Sequence, residues 1–548
     1  MNCGTRVDKQ MSLKIGDLLT EKKIALQRTN VIALILTLLA FIIRVIGISR
    51  ESFWYDEVYS VRMVRMSAVE IIRFTSGDVH PPLYFLLLHF WTRLFGDSQT
   101  AVRMLSVFFS VLAVFALYHL AKKLFNERVA FIAALFMTLA PLHLFYAHEA
   151  RMYSLLTFLA IASAYFFVCL LKDEKQTTPF FYVATTTLLL YTHIYALFVV
   201  AGQFLYFVSL FALSRETFLI KLRRWLVTQF ITGLLFLPWA FVIRGQIRRA
   251  RKGFWIKEPD LLMPVETLFE YCGSLWLVLF ILPLALWGII RLSKSANEET
   301  ETDALPQKKF FLLFWLVFPI LTPFLLSKIF SPFYIPKYAI AASVPFYLFA
   351  AFGLVQFPDI AWRNVLLILI CFCFGAEFIS ERTKLRRERW ADAVYNIEQS
   401  GKPGDLVLFS STASEMSYSY YAKRKDITTA VFPYSALDQQ PPSNFTLQER
   451  ACSEGFVSPP LTEQETKDYL QKIVGDRKRV WIITRFDEKF KNDFIKAFGN
   501  EFRLTITSPL CVNYRRFFVI EHSNDQESNI FLQVSALSCN PEIFLLER

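Results

Sequence analysis

The amino-acid sequence predicts a polytopic α-helical membrane protein with about eleven transmembrane helices, juxtamembrane helices on the outer face and a small C-terminal extracytoplasmic α/β domain. Three observations predict it. Of the 548 residues 54% are hydrophobic and 16% aromatic, and the mean hydropathy is positive, a composition outside the range of ordinary soluble domains. Apolar runs of the roughly 20 residues that a helix needs to cross hydrocarbon recur through the first 380 positions. Finally, Glu381 to Arg548 holds 23 basic and 23 acidic residues, so the whole formal excess of +12 falls within residues 1–380. Positive charge placed among apolar runs orients a membrane protein, and it argues against nucleic-acid binding.

The first 30 residues are polar and mixed in charge, and the run after them is long enough to stay in the membrane, so no cleavable signal is expected. Spans are predicted at 31–48, 104–121, 129–147, 152–171, 225–243, 274–290, 310–330, 338–356 and 364–380. The run 179–213 would reach roughly 52 Å as one helix, so it reads as two spans broken near Tyr191-Thr192-His193. With eleven spans, the basic clusters all fall on one side: the first 30 residues, Lys122/Lys123/Arg128, Lys172/Lys175, Arg215–Arg224, Arg291–Lys309 and Arg363. That side is then cytoplasmic, together with the N-terminus. The agreement requires His80–Phe95, with its Pro pair and Arg93, to be a half-buried helix on the outer surface. Residues 58–73 set Arg62, Arg65 and Arg73 against Val61, Val64, Ile71 and Ile72, which suits one interfacial helix.

The chain thus divides into a membrane domain, 1–380, whose first outer loop is 49–103, and a soluble domain, 381–548. In the latter, Asp405–Phe409 and Val480–Thr484 read as strands, and Ala391–Gln399 and Asn492–Phe498 as helices. Cys371 and Cys373 lie inside an apolar run. Cys452, Cys511 and Cys539 near the end leave a disulfide unassigned, and no metal-ligand spacing is visible.

This topology collects the unusual residues on the outer face. Asp56-Glu57 suits either a solvated helix start or a general base toward a hydroxyl. His80 before Pro81-Pro82 reads as a helix start or as a positioning group. His148-Glu149-Ala150-Arg151 sits between two spans with almost no loop, at a depth where charges are costly unless paired or working. It is either an internal Glu149–Arg151 pair or a site with Glu149 supporting Asp56 or a metal and Arg151 holding a phosphate. His193 is open to the same choice between metal ligand and hydrogen-bonded histidine. The long loop from Arg244 carries Arg244, Arg248, Arg249, Arg251, Lys252 and Lys257 outside, where basic residues are scarce. They attract headgroups or clamp the phosphate of a lipid-linked substrate. Lys337, before Tyr338, either snorkels or does the same.

The order W-x-D-E at 54–57, H-P-P-L-Y-F at 80–85 and E-A-R-M-Y at 149–153 resembles the protein O-mannosyltransferase-like branch of the GT-C glycosyltransferases, which includes the lipid A aminoarabinose transferases. Trp390-Ala391-Asp392 followed by Lys402-Pro403-Gly404-Asp405-Leu406-Val407 resembles the opening of the family's extracytoplasmic domain. The resemblance implies a bacterial-type inner-membrane enzyme that moves a sugar, with inversion, from a polyprenyl-phosphate donor to a lipid, glycan or protein acceptor. It maps the family's essential first-loop Asp onto Asp56, its neighbour onto Glu57 and the second acidic position onto Glu149. The donor-phosphate cation, commonly an Arg before Tyr, maps onto Lys337 before Tyr338. Metal use varies within the family, so a divalent metal stays open, with Glu149 and His193 as candidates. A flippase for lipid-linked sugars and a membrane-anchored assembly protein are the competing readings. Against the first stands the absence of visible internal repeats.

Overall fold

The computed structural model describes residues 30–172, 174–250, 256, 258–295, 308–383, 389–409, 412–431, 463–484, 503–505, 518–521 and 542–547. Each predicted span is met by helix. In chain order these are α1 (Asn30–Val45), α5 (Gln99–Leu124), α6 (Glu127–Leu139) with α7 (Pro141–Ala147), α8 (Tyr153–Lys172), α9 (Thr178–Leu190), α10 (Ala196–Leu213), α11 (Arg215–Ala250), α13 (Leu275–Ser295), α14 (Lys308–Ile329), α15 (Ser343–Val355) and α16 (Ile360–Thr383). Among the described residues eight are long and apolar enough to cross a bilayer by themselves, counting α15 with the 3-10 turn before it. Nine qualify when α6 and α7 count as one bent span, and α1 and α9 are shorter apolar helices. Between α1 and α5 lie α2 (Tyr55–Val64), α3 (Ala68–Gly77) and α4 (Leu83–Phe95), of which α4 is, like α1 and α9, a shorter apolar helix.

Burial sorts the helices as lipid solvation requires. α8 and α15 are almost wholly enclosed, whereas α11 shows Phe230, Leu234, Leu235 and Phe241 outward and α16 shows Trp362, Ile368 and Phe372. At the crossing of α13 and α15 two glycines face each other's backbone. A Cβ on Gly288 would lie 2.0 Å from the Phe349 carbonyl oxygen, and one on Gly353 2.0 Å from that of Leu284. Only glycine permits this approach.

The 56° bend between α6 and α7 was not read from the sequence. Its cause is Pro141, which has no N–H to give the Met137 carbonyl. Arg44, fully buried in α1, fills the gap. Its Nη2 donates to the Met137 oxygen at 3.1 Å, its Nη1 to that of Thr138 at 3.2 Å, and its Nε to Ser110 Oγ at 2.7 Å. A cation inside the first span is tolerated because the bend supplies acceptors that have lost their helical donors.

Two expectations are corrected. Residues 58–73 are two helices, because Ser67 ends the first segment and caps the second. Its hydroxyl accepts from the Glu70 amide while the Glu70 carboxylate accepts from the Ser67 amide, a capping box. The stretch from Arg244 is no long loop: α11 continues to Ala250, and α12 (Met263–Cys272) follows. Arg251, Lys252 and Lys257 lie outside the described residues.

The C-terminal region carries α17 (Trp390–Ser400), β1 (Leu406–Phe409), α18 (Thr412–Tyr421), β2 (Thr428–Val431), α19 (Glu463–Val474), β3 (Arg479–Thr484), β4 (Arg503–Thr505), β5 (Phe518–Glu521) and β6 (Glu542–Glu547). β1 lies between β2 and β3, parallel to both, and β6 pairs antiparallel with β3. Both predicted strands and the helix at Ala391–Gln399 are present. The helix predicted at Asn492–Phe498 and the cysteines 452, 511 and 539 lie outside the described residues.

Candidate active site

The loop between α1 and α2 is shaped by one arginine. Arg103, near the head of α5, is 1% exposed and grips Glu57 with two parallel bonds, Nε to Oε1 at 2.7 Å and Nη2 to Oε2 at 2.6 Å. Its Nη1 donates to the Ile48 and Glu51 carbonyls, both at 2.8 Å, and Nη2 to that of Ser52 at 3.2 Å. The Ala150 amide adds a third donor to Glu57, at 3.1 Å. A fully buried carboxylate is stable only with such pairing, and the planar guanidinium fork supplies it. Glu57 is thereby turned inward. Asp56, about 100° away around α2, is left on the open side, where its Oδ2 faces Lys337 Nζ at 3.7 Å.

Lys337 is offered by a 3-10 turn, Pro336–Ala342, whose proline fixes its start. The ammonium lies 5.6 Å from the ring centres of Trp54 and Tyr153 and 5.9 Å from that of Tyr338. Aromatic faces favour a cation there. Both Asp56 and Glu149 act electrostatically on this charge. Glu149 is buried in the turn between α7 and α8.

Arg151, two residues on, turns toward the α3–α4 loop. Its Nη2 donates to His80 Nε2 at 2.7 Å, and its guanidinium stands 5.8 Å from the Tyr59 ring centre and 5.7 Å from that of Phe85. Accepting at Nε2 puts the His80 proton on Nδ1, 4.0 Å from Asp78 Oδ2. Tyr59 donates to that same Asp78 oxygen at 3.0 Å. Burial pushes the Asp78 carboxyl above its ordinary value, against the pull of Arg151 and Tyr59. Burial, seconded by Arg151, holds His80 well below 6.5 and therefore neutral. His193, in the break between α9 and α10, is lowered by the same causes with His80 beside it, and its Nδ1 accepts from the Tyr195 amide at 3.1 Å. The two imidazoles meet edge to face at 5.8 Å. The far end of α11 fastens this loop from outside. Gln246 donates to the Thr75 carbonyl at 3.1 Å and to that of Asp78, and Arg249 to that of Ser76 at 2.8 Å.

Residues 79–241 match the family model described as dolichyl-phosphate-mannose-protein mannosyltransferase. Among solved structures, ArnT from Cupriavidus metallidurans in the apo state superposes with a TM-score of 0.56, at 13% identity over 89% of this chain and 97% of that one. The same protein bound to undecaprenyl phosphate gives 0.54 at 12% identity, over the same shares of each chain. The oligosaccharyltransferase AglB from Archaeoglobus fulgidus, solved with an inhibitory peptide and a dolichol-phosphate, gives 0.52 at 11% identity over 90% of this chain and 74% of that one. The chain thus shares the fold of ArnT and AglB, and its match to the mannosyltransferase family model is confined to residues 79–241. A search of curated protein sequences finds no match.

Within this fold Asp56, His80, Glu149, Arg151, His193, Lys337 and Tyr338 converge at one end of the bundle. Tyr338 stacks on Tyr153 at 6.4 Å and tilts against His193 at 4.8 Å. Arg244 and Arg248 do not join them: both are exposed on the last turns of α11, and Arg249 is the one that holds the site's framework. Glu149 and His193, the open metal candidates, are not gathered with a third such ligand among the described residues. Sequence reasoning passed over Tyr59, Asp78 and Arg103. Arg103 had a usable signal, a single charge at the head of a long apolar run. Asp78, two residues before the Pro-flanked histidine, had one only in hindsight of the fold.

Proposed function

We propose that the protein transfers a sugar from a polyprenyl-phosphate donor to an acceptor hydroxyl at the extracytoplasmic face of the cell membrane, with Asp56 as the general base. The observation that carries this reading is the 3.7 Å approach of the Asp56 carboxylate to the Lys337 ammonium, with buried Arg151 in the same electrostatic field. A proton acceptor and two cations in one partly enclosed site meet the needs of the reaction. The acceptor oxygen loses its proton to Asp56 as it attacks the anomeric carbon from the face opposite the leaving group, and the configuration inverts. The bond from that carbon to the phosphate oxygen breaks, and a phosphodiester monoanion becomes a monoester dianion. Lys337 and Arg151 stabilise the charge as it grows; being already in place, they spend little reorganisation on it. Glu57 fixes the loop, and His80, neutral and hydrogen-bonded, orients Arg151. The ligands named with ArnT and AglB, undecaprenyl phosphate and dolichol-phosphate, support a lipid-phosphate donor here. The loop charges support the extracytoplasmic placement.

The test is Asp56→Asn in a strain whose own copy is deleted, with envelope glycans compared by mass spectrometry. Loss of the transferred sugar by at least a hundredfold is expected for removal of a general base. Full transfer by a normally folded variant would refute the assignment.

A further inference from the structure

The loop that leads into Asp56 is held from two directions. From the membrane helices, Arg103 gathers the carbonyls of Ile48, Glu51 and Ser52. The next group along is the amide of Phe53, and it donates to Tyr421 Oη at 2.6 Å. Tyr421 is the last residue of α18, in the C-terminal region. Its oxygen also receives Gln99 Nε2, from the first turn of α5, at 3.2 Å. Around this node α18 and α2 are joined at further points. The Phe53 ring, fully buried, meets the Tyr420 ring edge to face at 5.8 Å. Arg62 Nη2 donates to the Met416 carbonyl at 3.2 Å, and the Arg65 guanidinium stands 5.7 Å from the Tyr420 ring centre.

The start of α2 needs such a fastening. Trp54 is its N-cap residue and makes no side-chain capping bond, although the Trp54 carbonyl accepts the first helical amides, Glu57 and Val58, both at 3.0 Å. A helix start without a capping oxygen is loose unless tertiary contacts hold it. Burial pushes the Tyr421 phenol up to about 12, so its oxygen serves as a neutral acceptor across the working range.

We propose that Tyr421 is a positioning residue for the transfer reaction: its phenol oxygen, supplied by the C-terminal region, fixes the two residues before α2 and so the direction in which Asp56 faces Lys337. The proposal rests on Asp56 being the base, and the experiment separates the two.

The full-length protein in nanodiscs is compared with Tyr421→Phe, which keeps the ring and removes the acceptor. Hydrogen exchange of the Phe53 amide is expected to speed about tenfold, the equivalent of one modest hydrogen bond, while exchange in α13 and α15 stays unchanged and so reports intact folding. Cellular transfer is expected to fall about tenfold, and binding of undecaprenyl phosphate to stay within twofold. A structural role alone would also speed exchange in α13 and α15 and would weaken undecaprenyl phosphate binding along with transfer. Unchanged exchange at Phe53, or faster exchange with unaltered transfer, overturns the proposal. An active Asp56→Asn variant sinks the assignment of the base instead, and exchange at Phe53 then still decides whether Tyr421 holds the loop.

Discussion

Asp56 and Glu57 differ by one position on α2, yet Glu57 is buried against Arg103 whereas Asp56 faces Lys337. Removing Glu57 strands the Arg103 guanidinium in the interior. Glu57→Ala is therefore expected to cost about 3–5 kcal/mol, read as a large fall in the thermal midpoint in detergent. Asp56→Asn, at a partly open site, should leave that midpoint close to wild type. His80 and His193 predict a pH effect. Burial keeps both neutral in the folded protein, whereas the unfolded chain takes up protons near 6.5. The unfolded state then binds more protons in acid, so stability is lost as pH falls below about 6.5. His80 packs with Arg151, Asp78, His193 and the field of Lys337, and its glutamine variant can still accept from Arg151. Thermal midpoints from pH 7.5 to 5 should decline less steeply in His80→Gln than in wild type, and less steeply again when His193→Gln is added. An identical slope in all three would show that other groups set the acid response.

At the scale of elements, length and hydropathy located helices, whereas the irregularities came from contacts. The split between α2 and α3 was legible, since Ser67-Ala68-Val69-Glu70 is a capping-box sequence, but the amphipathic charge pattern running across it obscured the break. The bend at Pro141 was half legible: proline marks a break, but only the distant Arg44 shows how its loose carbonyls are satisfied. The glycine crossing of α13 and α15 was invisible, because Gly288 and Gly353 are far apart in sequence and carry no side chain to pattern. It makes a clear prediction. Gly288→Ala drives a methyl into the Phe349 carbonyl, so the helices must part, at a cost of about 1–3 kcal/mol. A lower thermal midpoint with transfer otherwise retained is the expected result, and an unchanged midpoint would mean that the two helices are free to separate.

At the scale of the whole molecule, the residues of the site come from five separate connections of the helical bundle, which is why pattern alone could nominate them one by one but not assemble them. Asp56, Glu149 and Lys337 were legible through family-like motifs. Asp78 and Tyr421 were not, because a loop carboxylate and a tyrosine in a soluble region look ordinary until the chain is folded around them. The charge-based orientation is checked by a cysteine placed at each end. With the eight native cysteines replaced by serine, Arg248→Cys should react with a membrane-impermeant thiol reagent in intact cells, and Lys122→Cys only after permeabilisation; the reverse pattern would invert the protein. Finally, α11 runs 36 residues, about 54 Å, against a hydrocarbon layer of roughly 30 Å. Its upper turns must stand clear of the lipid, tilt, or both, and Gln246 and Arg249 tie those turns to the backbone of residues 75–78. Moved by a change in membrane thickness, the helix would act as a lever on the Asp78–His80–Arg151 chain. Turnover should vary with acyl-chain length in reconstituted bilayers, and Gln246→Ala should blunt that dependence by loosening the lever's grip.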